Sequence, residues 1–131
     1  MEGGCLCGRV RYEARGAPMR SYLCHCRDCQ RAGGSAFAAA MMFPAEAVSV
    51  QGELRAFSVT AESGEAVYRH FCPQCGSGVI NTGPPGGEAV VVLAGTLDDP
   101  SGFAPDFELF CQSAQPWVHA ESARTRLSRG R

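Results

Sequence analysis

Seven of the eight cysteines in this 131-residue chain fall into three tight groups, at residues 5–7, 24–29 and 72–75. The eighth, Cys111, stands alone. In a chain whose thiols stay reduced, clustered cysteines indicate metal binding or redox chemistry rather than disulfides. We therefore treat the clustered cysteines as candidate ligands, and zinc as the metal that such thiolate sets favour.

The segment CPQCG at residues 72–76 has the spacing of a zinc knuckle. Two thiolates two residues apart can face one ion at about 2.3 Å, and the following glycine permits the tight turn. A closed structural zinc needs four ligands, and the pair Cys5 and Cys7 fits the two missing places. The alternatives are a thioredoxin-like redox pair, which needs a βαβ setting that we do not find, and two buried cysteines at residues 5 and 7.

The middle segment, CHCRDC at residues 24–29, places three cysteines within six residues. Three thiolates so close together can bind one ion and leave its fourth position open, which is the pattern of a catalytic zinc. His25 lies between two of them, so we expect it to point away as a site-wall or exposed residue, with ligation as the alternative. Cys111 follows an apolar pattern and is expected to pack as a small hydrophobe rather than to approach a metal.

Short segments of strand pattern alternate with turn signals along most of the chain, which predicts an antiparallel, mostly β fold. We expect strands 48–50 and 54–60 to pair through a turn at 51–53, one helical turn at 30–32, and a last strand at 107–111. The other predicted strands are 8–14, 19–23, 35–43, 66–71, 78–82 and 88–94. Without repeats or linkers, residues 1–131 are predicted to form one domain, with disorder possible from about residue 120.

The net charge of −1 argues against a nucleic-acid-binding surface, which normally needs a basic patch. The basic residues of the tail, Arg124, Arg126, Arg129 and Arg131, are interpreted as a solvated terminus rather than a binding arm.

No stretch approaches the roughly 18 apolar residues of a membrane span. The first residues lack the features of a secretory signal, so we expect a cytoplasmic protein. The sequence leaves the oligomeric state open.

Five segments resemble the glutathione-dependent formaldehyde-activating enzyme family, which also includes centromere protein V. They are GCLCGRVRY at 4–12, CHCRDCQ at 24–30, FCPQCGS at 71–77, AGTLDDP at 94–100 and PW at 116–117. The resemblance runs from about residue 3 to residue 117. Members often carry a histidine where this chain has Glu108, and the basic tail differs from the usual ending.

The resemblance implies a β-tent fold, in which antiparallel sheets are pinned by a structural zinc, and two zinc ions per chain. The structural zinc would be held by Cys5, Cys7, Cys72 and Cys75. The catalytic zinc would be held by Cys24, Cys26 and Cys29. The founding activity of the family joins glutathione to formaldehyde as S-hydroxymethylglutathione and is classed as a carbon–sulfur lyase activity.

We therefore expect an enzyme whose substrates are a small thiol and a small aldehyde. Arg27 and Arg31 flank the middle cysteines and are candidates for binding an anionic thiol such as glutathione. Three alternatives stay open: an interaction module with two structural zincs, a related enzyme with another thiol, and a redox or sulfur-transfer protein that uses Cys111. A fourth protein ligand on the middle zinc would favour the module.

Overall fold

A computed structural model of the chain describes residues 1–118 and 125–129. The described residues form eleven β-strands and one short helix, so the prediction of a mostly β fold is confirmed. The elements are β1 (Glu2–Gly4), β2 (Arg11–Ala14), β3 (Arg20–Cys24), α1 (Arg27–Gly33), β4 (Ala38–Pro44), β5 (Val48–Gln51), β6 (Arg55–Thr60), β7 (Ala66–Phe71), β8 (Gly78–Thr82), β9 (Ala89–Leu93), β10 (Phe107–Leu109) and β11 (Thr125–Arg126). In these residues no helix has the length and apolar character needed to span a membrane.

The strands form two sheets. The smaller sheet has the order β1-β2-β5, and the larger has the order β11-β10-β3-β4-β9-β8-β7-β6. Most neighbouring strands are antiparallel, as expected, but β10 runs parallel to both β3 and β11. The larger sheet is therefore mixed. The chain first forms strands β4 and β6 to β9 of this sheet, and only then does β10 pair with the free edge of β3.

The core is one cluster of apolar side chains contributed by both sheets. In β2, Tyr12 and Ala14 are buried while Glu13 between them is exposed, which is the alternation of a strand with one covered face. Val10, Phe43 and Val92 are completely buried in the same cluster. Full burial of each such large apolar side chain stabilises the fold by about 1.5–3 kcal/mol.

The predicted pairing of strands 48–50 and 54–60 is wrong. Both segments are strands, but β5 pairs with β2 in the smaller sheet and β6 pairs with β7 in the larger one. Gly52, between them, has a φ of +100°, and a Cβ there would lie 2.3 Å from the carbonyl oxygen of Arg9. The expected hairpin turn is therefore the crossing point from one sheet to the other. The helical turn at 30–32 is also longer than predicted, since it is part of α1.

The described part of the tail extends the larger sheet beyond β10, so residues 107–111 do not form the last strand. Thr125 donates its N–H to Asp106 at 3.2 Å, and Leu127 donates to Glu108 at 3.1 Å. Arg129 then forms an ion pair with Glu62, which follows β6 at the far edge of the sheet. The remaining tail residues, including Arg124 and Arg131, lie outside the described residues, and the division into one domain stays a prediction.

Candidate metal centres

The sulfur atoms of Cys5, Cys7, Cys72 and Cys75 all lie within 4.8 Å of one another. The Sγ–Sγ distance is 3.5 Å between Cys5 and Cys7 and 3.8 Å between Cys7 and Cys72. Four sulfurs placed tetrahedrally around a zinc ion at 2.3 Å are about 3.8 Å apart. The group therefore has the donor set and the dimensions of a closed zinc site.

Two tight turns present these sulfurs, one in each half of the chain. Gly8 donates its N–H to Cys5 at 3.1 Å, and Gly76 donates to Cys72 at 2.8 Å. Both glycines have a positive φ, +80° and +78° respectively. Side chains with a Cβ disfavour this left-handed conformation, so glycine at these positions allows each pair of cysteines to converge.

Neighbouring polar groups hold the sulfurs of this group in place. Val10 donates its N–H to the Sγ of Cys5 at 3.2 Å. The Ser77 hydroxyl lies 3.3 Å from the Sγ of Cys75 and, as its hydrogen-bond partner, lowers the pKa of that thiol to about 5. Leu6 donates its N–H to the same hydroxyl at 3.1 Å, which ties the two turns together.

The second group consists of Cys24, Cys26 and Cys29, whose sulfurs also lie within 4.8 Å of one another. Cys24 ends β3, Cys26 caps the start of α1, and Cys29 lies in its first turn and donates its N–H to the Sγ of Cys26 at 3.3 Å. Hydrogen bonds from the thiols of Cys24 and Cys29 lower the pKa of Cys26 to about 2. In turn, the hydrogen bonds of Cys24 with Cys26 and Cys29 raise the pKa of Cys24. The three sulfurs therefore share protons, which a soft divalent cation can displace as it binds the thiolates.

No fourth histidine, cysteine or carboxylate within residues 1–118 and 125–129 joins this second group. His25 is completely buried and bonds to Glu108 at 2.7 Å, so it is neither exposed nor grouped with the three sulfurs. The Sγ of Cys111 lies 3.8 Å from the carbonyl oxygen of Glu108 and belongs to neither group. His119 lies outside these ranges.

The second group opens into a cleft of about 900 Å³, which is near the upper end of the range for small-molecule sites. Strands of the larger sheet form its wall, and the loop between β8 and β9 forms part of its rim. The wall is mostly apolar, with side chains of Ala38, Ala40, Met42, Val59, Val67 and Val91. By size and lining the cleft can admit an organic molecule beside the three sulfurs.

Among the described residues, one arginine that sequence reasoning did not single out lies against these sulfurs. The two terminal nitrogens of Arg69, in β7, lie 3.8 and 3.7 Å from the Sγ of Cys29. Arg27 lines the cleft as well, whereas Arg31 lies outside it, in a pocket of about 280 Å³ beside Trp117. The predicted roles of Arg27 and Arg31 in substrate binding stay predictions.

Comparisons with known proteins agree with this description. The family model for the glutathione-dependent formaldehyde-activating enzyme matches residues 1–113. A crystal structure of a Rhodobacter sphaeroides protein, determined as a structural genomics target, has a TM-score of 0.58 and 24% identity, covering 80% of this chain and 98% of that chain. That likeness supports the fold alone. No curated protein matches the sequence. Because the family model spans most of its length, the chain belongs to the glutathione-dependent formaldehyde-activating enzyme family.

Proposed function

We propose that the chain is a zinc-dependent enzyme of the carbon–sulfur lyase type. It adds a thiol, glutathione or a similar one, to formaldehyde or a related small aldehyde. A carbon–sulfur bond forms, the π bond of the carbonyl breaks, and the proton passes from sulfur to oxygen, which gives an S-hydroxymethyl thiol. The proposal is carried by the three-cysteine group, which faces a large cleft without a fourth ligand from residues 1–118 or 125–129.

In this proposal the four-cysteine group holds a structural zinc and the three-cysteine group holds a catalytic one. A zinc ion bound by three thiolates supplies a Lewis acid that favours the thiolate form of a substrate or polarises a carbonyl oxygen. Cys24 and Cys29 are buried and Cys26 is half-buried. Their sulfurs are thus fixed on the protein side, so a substrate can approach from the cleft.

The surrounding side chains set the electrostatics of the reaction. The guanidinium of Arg69 offsets part of the negative charge on the sulfurs and makes the approach of an anionic thiol less unfavourable. The apolar side chains of Val67 and Val91 offer a thiolate nucleophile no hydrogen-bond donors. A thiolate in this weakly solvating cleft attacks a carbonyl carbon more readily than one in bulk water, because less hydration must be removed from its sulfur.

The test is a rate measurement on the zinc-loaded protein. Formaldehyde and glutathione form their adduct without a catalyst, so exchange between free and adduct signals should be measured by NMR with and without protein. We expect the wild-type protein to accelerate exchange and Cys26→Ser to lose the acceleration, whereas Cys111→Ala should retain it. A protein that holds two zinc ions but accelerates no thiol would instead be a non-catalytic zinc module.

A further inference from the structure

Arg69 and Asn81 form a polar pair in the otherwise apolar wall of the cleft. They lie directly opposite each other on the neighbouring strands β7 and β8, and both line the cleft. The next residue across the sheet, Val91, is apolar, as is Val67 two positions before Arg69. Ligand sites typically combine such a wall with a few placed polar groups that fix the orientation of the ligand.

The polar atoms of this pair are largely uncommitted. Within residues 1–118 and 125–129, the guanidinium of Arg69 contacts the sulfur of Cys29 and also acts electrostatically on Cys26, and no carboxylate lies within 4.0 Å of it. The Asn81 side chain makes no hydrogen bond to another described residue. A guanidinium has five N–H donors in a planar fork that matches the two oxygens of a carboxylate.

We propose that Arg69 and Asn81 bind a carboxylate of the thiol substrate, close to its reacting sulfur. The proposal rests on the proposed function and specifies the class of thiol. Both terminal nitrogens of Arg69 lie within 3.8 Å of the Cys29 sulfur, and a substrate sulfur that joins the group lies about the same distance from Cys29. A carboxylate whose carbon is three bonds from the sulfur can therefore reach the guanidinium with one hydrogen bond.

This geometry selects β-mercapto acids, such as 3-mercaptopropionate or free cysteine. In glutathione the carboxyl group of the cysteine residue is part of a peptide bond, and the free carboxylates lie farther from the sulfur. Three exposed carboxylates that line the cleft, those of Asp28, Glu65 and Glu88, further disfavour glutathione because it carries a second anionic group, whereas the carboxylate of Glu62 is paired with Arg129.

The experiment compares two thiols of similar length, 3-mercaptopropionate and the neutral 3-mercaptopropanol, in the formaldehyde exchange assay with zinc-loaded protein. One charge-assisted carboxylate contact should lower the KM of the acid about 10- to 100-fold relative to the alcohol. Arg69→Gln should abolish this preference and Arg69→Lys should restore part of it. Arg55→Gln, on an arginine outside the cleft with a 70% exposed side chain, is the matched control and should keep it.

Equal KM values for the two thiols in the wild-type protein, or an Arg69→Gln variant that weakens both alike, would overturn the carboxylate site and leave the proposed function standing. If the protein accelerates exchange for no thiol, the proposed function fails. A binding measurement then tests the carboxylate site independently of catalysis. Calorimetric binding of 3-mercaptopropionate to the zinc-loaded protein that weakens about 10-fold or more in Arg69→Gln supports the site. Equal binding by the two proteins refutes it.

Discussion

The Nε2 atom of His25 donates a hydrogen bond to Oε1 of Glu108 across 2.7 Å, and both side chains are completely buried. The backbone N–H of His25 also donates to the carbonyl oxygen of Leu109 at 2.9 Å. Arg126 approaches the second oxygen of Glu108 at 3.7 Å. The residue between Cys24 and Cys26 is thus held against β10 by two hydrogen bonds, and the three-cysteine group is positioned by a strand far along the sequence.

We predict that Glu108→Ala lowers the free energy of unfolding by about 1–3 kcal/mol, because a buried His25 nitrogen loses its partner. Glu108→Gln should cost less, since its amide oxygen can accept the same hydrogen bond. Urea titration measures both. A chelator competition should also show weaker zinc binding by the three-cysteine group in Glu108→Ala. Equal losses for the two variants would show that the hydrogen bond to His25 is not what stabilises this region.

We expect two zinc ions per chain in protein purified under reducing conditions, because each of the two sulfur groups has the donors for one ion of its own. Elemental analysis of the wild-type protein measures this number. A value near zero together with disulfides would overturn the assignment of both centres.

Loss of the two centres should have different effects on folding. A structural zinc supplies roughly 10–16 kcal/mol, whereas a typical domain has a net stability of only about 5–15 kcal/mol. Cys72→Ser should therefore prevent folding or cause aggregation, while Cys26→Ser should fold and hold one zinc. Thermal unfolding and zinc content measure both variants. Equal thermal unfolding temperatures for Cys72→Ser and Cys26→Ser would contradict the division into a structural and a catalytic centre.

Cys111→Ala should keep both zinc ions and the full thiol-exchange rate, since its sulfur belongs to neither group. Cys111 is only half-buried, so the loss of its sulfur should change the free energy of unfolding by about 1 kcal/mol or less. The variant is a control for the serine variants of the clustered cysteines. If Cys111→Ala loses a zinc ion or its activity, the result would support the alternative of a redox or sulfur-transfer protein that uses Cys111.

Two glycine variants compare the crowded position Gly3, close in sequence to Cys5, with the open position Gly33 in α1. A Cβ at Gly3 would lie 2.3 Å from the carbonyl oxygen of Thr96 and 2.4 Å from the hydroxyl of Tyr12. Gly3→Ala should thus destabilise the protein by about 1–3 kcal/mol. Gly33→Ala, in α1 with no atom within 4 Å of the added Cβ, should leave stability unchanged or raise it by up to about 1 kcal/mol. Denaturant titration measures the free energy of unfolding of both variants. A loss in Gly3→Ala alone shows that crowding at Gly3 is the cause, and similar losses in both variants would contradict it.

The sequence predicts that the cysteines within 24–29 and within 72–75 lie close together, because those contacts are local, and their role as metal ligands stays a prediction. The spacing of the 72–75 turn and the glycine after it indicate two convergent thiolates whatever the rest of the chain does. Most strands are also predicted close to their observed bounds, since alternation along one strand reflects its own two faces. β7 and β8, at Ala66–Phe71 and Gly78–Thr82, match the prediction in full.

What the sequence does not predict depends on pairing between distant segments. The turn at Gly52 carries the same signal whether the chain folds back as a hairpin or crosses to another sheet. In the sequence Arg69 has the character of an ordinary polar strand residue, and only the tertiary fold brings β7 close to Cys29. The parallel pairing of β10 with β3 likewise depends on contacts more than 80 positions apart, such as that between His25 and Glu108.

The two sulfur groups also differ in when a growing chain can complete them. Cys7 and Cys72 are separated by 65 positions, whereas Cys24, Cys26 and Cys29 lie within six residues. At synthesis rates of about 5–20 residues per second, Cys29, the last cysteine of the local group, is made about 2–9 seconds before Cys75. The nascent chain therefore meets cellular metals first at the centre proposed for catalysis. Other soft ions compete for thiolates, and copper binds such ligands more tightly than zinc. The local group can therefore bind an ion before the distant pairs of the four-cysteine group have come together.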